Sequence, residues 1–519
     1  MTTNPGAAAS SHSKSIARNA ATVGGATLLS RIAGFVRDMV VAFTLGAGPI
    51  SDAFFVAFRV PNLLRRLFGE GALTMAFIPI FARARQEQGL ERAFSMARST
   101  FVWQALILAV LTGLAIGLAR PLTMLIAPGF SDDPAQFELT VRLVRICFPY
   151  VLLISAVALA MGVLNSLGHF LSPALSPVLL NLVLISAALA GYYTGGEVAV
   201  WLAWGVFAAG VVQLLFQIPF LRGRGFRLVG PMRLRDAYVG RVGRLMLPTV
   251  FGAAVYQVNI ILSTMLASFL PSGSVTYLYY ADRLVEFPLG VFGFALSTAA
   301  MPSLSALVAK GDMDEYRRTV DMTLSLTLFI SIPAAAGLVA LGGPVIDLLF
   351  GRGAFTPADV AATSMALVAF CAGLPATSIA RPLVSAFYAM EDTRTPVIVA
   401  ALCVAVNIGL GYALMRHLGH VGLAIGVSAS SWANALLLSW AFRRRMGRAP
   451  KVFRRMAAFG AVAAIMGGLA WWTAAWGKWS LSLIPLWALV YLGLSFAAGF
   501  PEARLLGGAL SARLSRKRH

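Results

Sequence analysis

The chain has 519 residues, 58% of them hydrophobic and only 12% charged, and its mean hydropathy is +0.78. A water-soluble domain carries about 25% charged residues, so a soluble fold is excluded and a polytopic membrane protein is indicated. The net charge of +21 would suit nucleic acid, but the Lys and Arg gather in short loops between apolar runs. That pattern sets membrane topology, so nucleic acid is not an expected partner.

The first stretch, 1–20, is polar, Ser/Ala-rich and mildly basic, and reads as a disordered cytoplasmic tail without a cleavable signal. Apolar periodicity then predicts fourteen helices. They run over about 22–47, 52–84, 97–120, 137–166, 172–193, 198–221, 245–269, 274–308, 319–342, 358–389, 396–416, 421–442, 455–474 and 480–500. The alternation of a porin-type barrel is absent, so the fold class is an all-α polytopic membrane protein.

Segments 82–98, 222–244 and 443–455 and the C-terminal SARLSRKRH are rich in Arg and Lys, whereas GAGPIS, APGFSDDPAQ, TGGE and LPSGS are poor in them. The alternation places both termini in the cytoplasm. The three cysteines, Cys147, Cys371 and Cys403, sit in apolar surroundings at no metal-binding spacing and read as small buried hydrophobes.

The chain also carries an internal duplication at an offset of about 223 residues. Phe68-Gly69 followed by ALTMAFIPIFA is echoed by Phe292-Gly293 followed by ALSTAAMPSLSA. Pro79 matches Pro302, Arg59 lies near the counterpart of Arg283, Phe148 matches Phe370, and Pro173 matches Pro396. APGFSDD in one outer loop answers GRGAFTPAD in the other. The offset covers six helices, an even number, so the repeat is parallel, as in transporters whose halves flank a central substrate path. The expected organisation is an N-lobe over 21–221, a basic linker over 222–244, a C-lobe over 245–442, two extra helices within 443–500 and a basic tail over 501–519.

Charges inside the first two helices are the main functional signal. RIAGFVRD and RVPNLLRRLFGE place Arg31, Arg37, Asp38, Arg59, Arg65, Arg66 and Glu70 within otherwise apolar segments. A charge at mid-membrane costs about 2.5–3.5 kcal/mol, so these groups must pair, face water or lie near the headgroups. Arg31 and Asp38 are seven residues apart and share a helix face. Asp52, Arg59, Arg66 and Glu70 form one stripe, and Pro61 interrupts that helix so that Arg65 can turn inward. The second lobe adds Asp282, Arg283 and Glu286, the last two close enough along the helix to meet. Interhelical salt bridges would account for some of these charges, but cations outnumber anions. Arginine forks suit oxyanions, so the expected substrate is anionic, with phosphate or pyrophosphate leading, and Arg31, Arg37, Arg65 and Arg283 are the expected contacts.

SRIAGFVRD, SDAFFVAFRVPNLLRRLFGEGALTMAFIPIF, FPYVLLIS and ASFLPSGSVTYLYYADRLVEFPLGVFG resemble the MurJ/MviN family of lipid II flippases, from about residue 20 to beyond 440. That family belongs to the multidrug/oligosaccharidyl-lipid/polysaccharide exporter superfamily. The resemblance implies two lobes around a central cavity that opens alternately to the two membrane faces. It implies translocation of lipid II, a polyprenyl-pyrophosphate glycolipid, from the cytoplasmic to the periplasmic leaflet of the bacterial inner membrane. The substrate-binding positions it carries over are Arg31, Arg37, Arg65 and Arg283, the acidic Asp38, Asp52, Glu70 and Glu286, and Ser30 and Asn62, with Arg66 on the same stripe. It implies partners in lipid II, membrane lipids and the cell-wall synthesis machinery. It further implies a hydrophobic groove for the lipid tail at helices 13 and 14. Their Trp471, Trp472, Trp476, Trp479 and Trp487 also suit an interfacial belt.

Some members of that family are sodium-coupled through a helix-7 carboxylate. Here helix 7 offers Gln257, Asn259, Ser263 and Thr264 and helix 11 offers Asn407, all neutral. No cofactor is expected, and coupling to the membrane potential or to an ion stays open. A drug exporter for organic cations disagrees with the excess of arginine. An enzyme on lipid-linked sugars lacks a catalytic constellation: His12, His169, His417, His420 and His519 lie in tails and loops. No GxxxxGK[ST] phosphate loop occurs, against ATP-driven transport. A scaffold would not need intramembrane arginines.

Overall fold

The computed structural model describes residues 5–65, 73–290 and 294–505. Among them every regular element is a helix, α1–α18, with two short 3-10 turns. In chain order they are α1 (Pro5–Leu45), α2 (Pro49–Arg65), α3 (Leu73–Gln88), α4 (Leu90–Gly117), α5 (Ala119–Ile126), α6 (Pro134–Cys147), α7 (Tyr150–Ser166), α8 (Leu171–Tyr193) and α9 (Val198–Gly223). There follow α10 (Ala237–Ser268), α11 (Ser274–Pro288), α12 (Phe294–Lys310), α13 (Met313–Leu349), α14 (Pro357–Cys371), α15 (Leu374–Ala389), α16 (Arg394–Met446), α17 (Val452–Ala474) and α18 (Ile484–Ala497).

Each expected span coincides with one of these helices or with a pair, but the breaks differ. The described parts of the span expected over 52–84 are α2 and α3, and those of the span over 274–308 are α11 and α12. The span over 358–389 is α14 and α15, bent by 44°. The two spans expected over 396–416 and 421–442 are the two halves of α16, which turns back at the non-helical Gly419 (φ 54°, ψ −135°). That backbone conformation is open to glycine and costly for any residue with a Cβ. Helix α1 begins at Pro5, so helix occupies most of the segment expected to be a disordered tail. Among the described residues, eight helices are long and apolar enough to cross a membrane, or nine if the bent pair is one span. The count is made of the described residues alone; α1, α10 and the pieces α2, α3, α11 and α12 fall outside it, and the two halves of α16 enter it as one.

The duplication is visible in the element bounds. Helix α4 starts at Leu90 and α13 at Met313, α6 at Pro134 and α14 at Pro357, and α8 at Leu171 and α16 at Arg394, each pair about 223 residues apart. The two copies use related starting signals. Asp133 caps α6 by accepting from the Ala135 and Gln136 N–H groups, with Pro134 following. Thr356 caps α14 in a reciprocal capping box with Asp359, with Pro357 following. Pro fits the first helical position because its missing N–H would be unpaired there.

The chain divides into two compact units, Met1–Val258 and Asn259–His519. The division falls within α10, and the linker expected between the lobes packs with the first unit. In that unit α7, α8 and α9 approach closely because small residues face one another. A Cβ at Gly205 of α9 would stand 2.6 Å from the Ala187 Cβ of α8. Dispersion between close backbones drives helix pairing where water does not. The aromatic core of this unit joins Phe77 and Phe81 of α3, Phe94 of α4 and Phe226 of the linker.

In the second unit α13 is the central helix. Its Leu324, Leu328 and Phe329 are buried against α15, α16 and the extra pair α17 and α18. The Tyr491 hydroxyl of α18 donates to the Phe329 carbonyl at 3.0 Å. Beyond α18, buried Glu502 accepts from Ser325 of α13 at 2.6 Å and from Arg455 of α17. The end of α17 exposes Trp471 and Trp472 and the turn after it exposes Trp476 and Trp479, the arrangement of an interfacial belt, while Trp487 packs inward.

Candidate functional site

Of the expected site residues, Arg66 and Glu70 lie outside the described residues. The others fall on α1, α2 and α11. On α1, Arg37 and Asp38 are both buried, with side chains 10% and 2% exposed. The Arg37 Nε and Nη2 donate to Asp38 Oδ1 at 3.0 and 2.6 Å, and its Nη1 donates to Asn181 Oδ1 of α8 at 3.1 Å. Asn181 Nδ2 in turn donates to the Ser30 carbonyl at 3.2 Å. Sequence spacing matched Asp38 with Arg31. The structure adds a bond that spacing hides: adjacent residues on a helix point about 100° apart, but the long arginine side chain folds round to its neighbour. Arg31, also on α1, is partly buried.

Asn181 was missed by sequence reasoning. The available signal was a lone carboxamide in the apolar 23-residue helix α8. A buried polar side chain in such a helix needs a partner, and α1 supplies it.

On α2, Asp52 is buried near the start, where the helix N-terminus favours a carboxylate. Pro61 lies inside the helix. Asn62 and Arg65 follow, both partly buried, with Arg65 Nε donating to Asn62 Oδ1 at 3.1 Å. This puts two residues carried over by resemblance on one helix face, three positions apart. On α11, Arg283 Nη1 donates to Glu286 Oε2 at 3.2 Å, with side chains 32% and 39% exposed. This pair, expected from spacing alone, is therefore formed.

The second unit repeats the brace of the first with neutral groups. Helices α10 and α16 are the counterparts of α1 and α8. Asn407 Nδ2 of α16 donates to Asn259 Oδ1 at 2.7 Å and to Ser263 Oγ at 3.0 Å, both on α10. Replacing Asn407 with Leu should cost about 0.6–1.7 kcal/mol, the range for interhelical hydrogen bonds in membranes. Unfolding of the purified protein in mixed detergent checks this, and an unchanged midpoint would mean that the bonds contribute nothing.

Comparison with known proteins decides the family. The family model "Lipid II flippase MurJ" matches residues 41–490. This chain belongs to the MurJ family. A probable lipid II flippase MurJ of Rhizobium meliloti is 39% identical over 509 residues, covering 95% of each chain. The lipid II flippase MurJ of Burkholderia cenocepacia is 35% identical over 504 residues, covering 93% of this chain and 97% of its own. Among solved structures, a lipid II flippase MurJ in an inward closed conformation superposes with a TM-score of 0.79 at 26% identity, covering 91% of this chain and 97% of that one. An inward-facing multidrug MATE-family transporter superposes with a TM-score of 0.71 at 16% identity, covering 80% of this chain and 94% of that one, which establishes a shared fold alone. The MurJ family identity agrees with the resemblance read from the sequence.

Proposed function

We propose that this protein is a lipid II flippase, carrying the polyprenyl-pyrophosphate glycolipid from the cytoplasmic to the periplasmic leaflet by alternating access, for peptidoglycan synthesis. It is a transporter of the bacterial inner membrane and not an enzyme. The observation that carries the reading is Arg283, a guanidinium one-third exposed in a helix of an apolar chain of this family. A cation in such a helix is costly against lipid, about 2.5–3.5 kcal/mol, and an arginine fork suits a pyrophosphate. Arg31, Arg65 and Arg283 contact the headgroup. Arg37 acts with them by holding Asp38 and Asn181, so that α1 keeps one rotation against α8.

Both termini lie in the cytoplasm, and α17 and α18 border the polyprenyl tail. Besides lipid II, membrane lipids and the cell-wall synthesis machinery are the partners. No cofactor takes part. The Asn407 amide donates to the two oxygens, Asn259 Oδ1 and Ser263 Oγ, that a sodium ion on α10 and α16 would require. No carboxylate stands beside them on α10. These neutral groups favour coupling to the membrane potential, worth about 2.3 kcal/mol per charge across 100 mV, over coupling to sodium at this place.

Transbilayer movement of lipid II in proteoliposomes tests the function. Movement that needs the protein and an imposed potential, and is equal in sodium and potassium buffers, is the expected result. Strict sodium dependence would overturn the coupling alone. No movement under either gradient, with folded protein, would overturn the substrate.

A further inference from the structure

The linker that follows α9 is more ordered than a topology signal requires. Positive charge between spans needs only to be present, not to be folded. Here Arg98 of α4 donates from Nε to the Arg227 carbonyl at 2.8 Å and from Nη1 to the Pro231 carbonyl at 3.0 Å. Trp103 Nε1 donates to the Leu234 carbonyl at 2.8 Å, and the Arg233 N–H donates to Ser99 Oγ at 3.0 Å. Phe226 is buried edge-on against Phe94, with the Arg98 guanidinium over its ring.

The linker's acidic residue is consumed by this fold. Asp236 is buried and paired with Arg92 at 2.6 Å. Nearby, the Tyr238 hydroxyl donates to Glu87 at 2.6 Å. That bond, followed by Arg83, holds the Glu87 carboxyl below its ordinary value, and it pushes the Tyr238 phenol up. The carboxylates are thus engaged by α3, α4 and the start of α10. The linker's own Arg222, Arg224, Arg227, Arg233 and Arg235 remain exposed.

Between the end of α9 and this folded strap lies a cavity of about 600 Å³. Its apolar wall comes from Ile218, Leu221, Phe226 and Leu228, and its rim from Arg222, Arg227 and Val229. The Arg222 and Arg227 guanidinium groups bond to no described residue. Val229 is 86% exposed, and Leu215, on α9 two turns before the rim, is exposed as well. An apolar side chain left open beside two uncommitted arginines, at the end of a membrane helix, fits a ligand with both an acyl chain and a phosphate.

We propose that this cavity is a binding site for an anionic phospholipid, the phosphate on Arg222 and Arg227 and the upper acyl chain along Ile218 and Val229. The strap held by Arg98 then anchors the membrane face of the first unit to anionic lipid. An arginine near an anionic surface is worth about fivefold in local lipid preference.

The test uses the full chain with Val229→Cys, labelled with an environment-sensitive dye. Cys147, Cys371 and Cys403 are buried, so the label reports this position. The labelled protein goes into vesicles of phosphatidylcholine and phosphatidylglycerol without lipid II, with chain-brominated quencher on one lipid or the other at equal mole fraction. Quenching severalfold stronger from brominated phosphatidylglycerol is expected. The preference should vanish in Arg222→Gln/Arg227→Gln, with dye emission in pure phosphatidylcholine unchanged as the check on folding. Equal quenching by the two lipids, or a preference that survives the double substitution, would overturn the proposal. Loss of the preference on adding millimolar inorganic phosphate would assign the site to free phosphate instead. No lipid II is present, so the outcome is independent of the flippase reading.

Discussion

Arg37→Ala should destabilise the protein by up to about 3–5 kcal/mol, because it removes two bonds to the buried Asp38 carboxylate. It also removes the partner of Asn181 Oδ1, so α8 loses one of its ties to α1. The expected result is a large fall in the melting midpoint in detergent and a low yield of folded protein. Arg37→Ala/Asp38→Ala should recover much of the loss, since the buried charge goes with the guanidinium that neutralised it. Arg37→Lys should fall between, because an ammonium keeps the charge but cannot make the forked contact. If the single alanine variant melts like the parent, the pair is not a structural brace. If the double variant melts no better than the single one, the buried charge is not the cause of the loss.

Arg283→Ala should behave in the opposite way. Its pair with Glu286 is about one-third exposed and lies within one helix, and such pairs contribute about 0–1 kcal/mol. The variant should therefore fold and melt within that margin of the parent. Lipid II movement should nonetheless fall at least about tenfold, the effect of losing about 1.4 kcal/mol, since a charge-assisted hydrogen bond is worth about 1.5–3 kcal/mol. Arg283→Lys should keep only part of the activity, for want of the second donor. Normal movement by Arg283→Ala would remove this residue from the headgroup site. The two arginines look alike in sequence, both within apolar segments and both beside a carboxylate. Their surroundings separate them: one is sealed between helices with its donors used, the other is partly open.

The membrane class, the helical fold and the duplication were legible in the sequence because each is written in periodic or repeated apolar pattern. Bilayer thickness fixes how many apolar residues a span needs, and the offset of about 223 residues reappears in helix starts as far apart as Leu90 and Arg394. The Arg283–Glu286 pair was legible too, since residues three apart on a helix are neighbours. The helix breaks were less so. A hydropathy window averages across the 44° bend between α14 and α15, whereas it did separate the two halves of α16 at Gly419.

What no pattern along the chain could supply is the partner of a side chain on a distant segment. Asn181 lies 144 positions from Arg37, and Arg98 reaches carbonyls about 130 positions away. The linker likewise read only as a basic stretch. Its fold rests on backbone carbonyls, which every residue carries and no residue type announces. The sequence alone determined that this chain crosses a membrane as a doubled set of helices with arginines inside them. The tertiary structure alone decided which arginine is sealed into the scaffold and which is left partly open, because burial and pairing depend on the neighbours that folding brings.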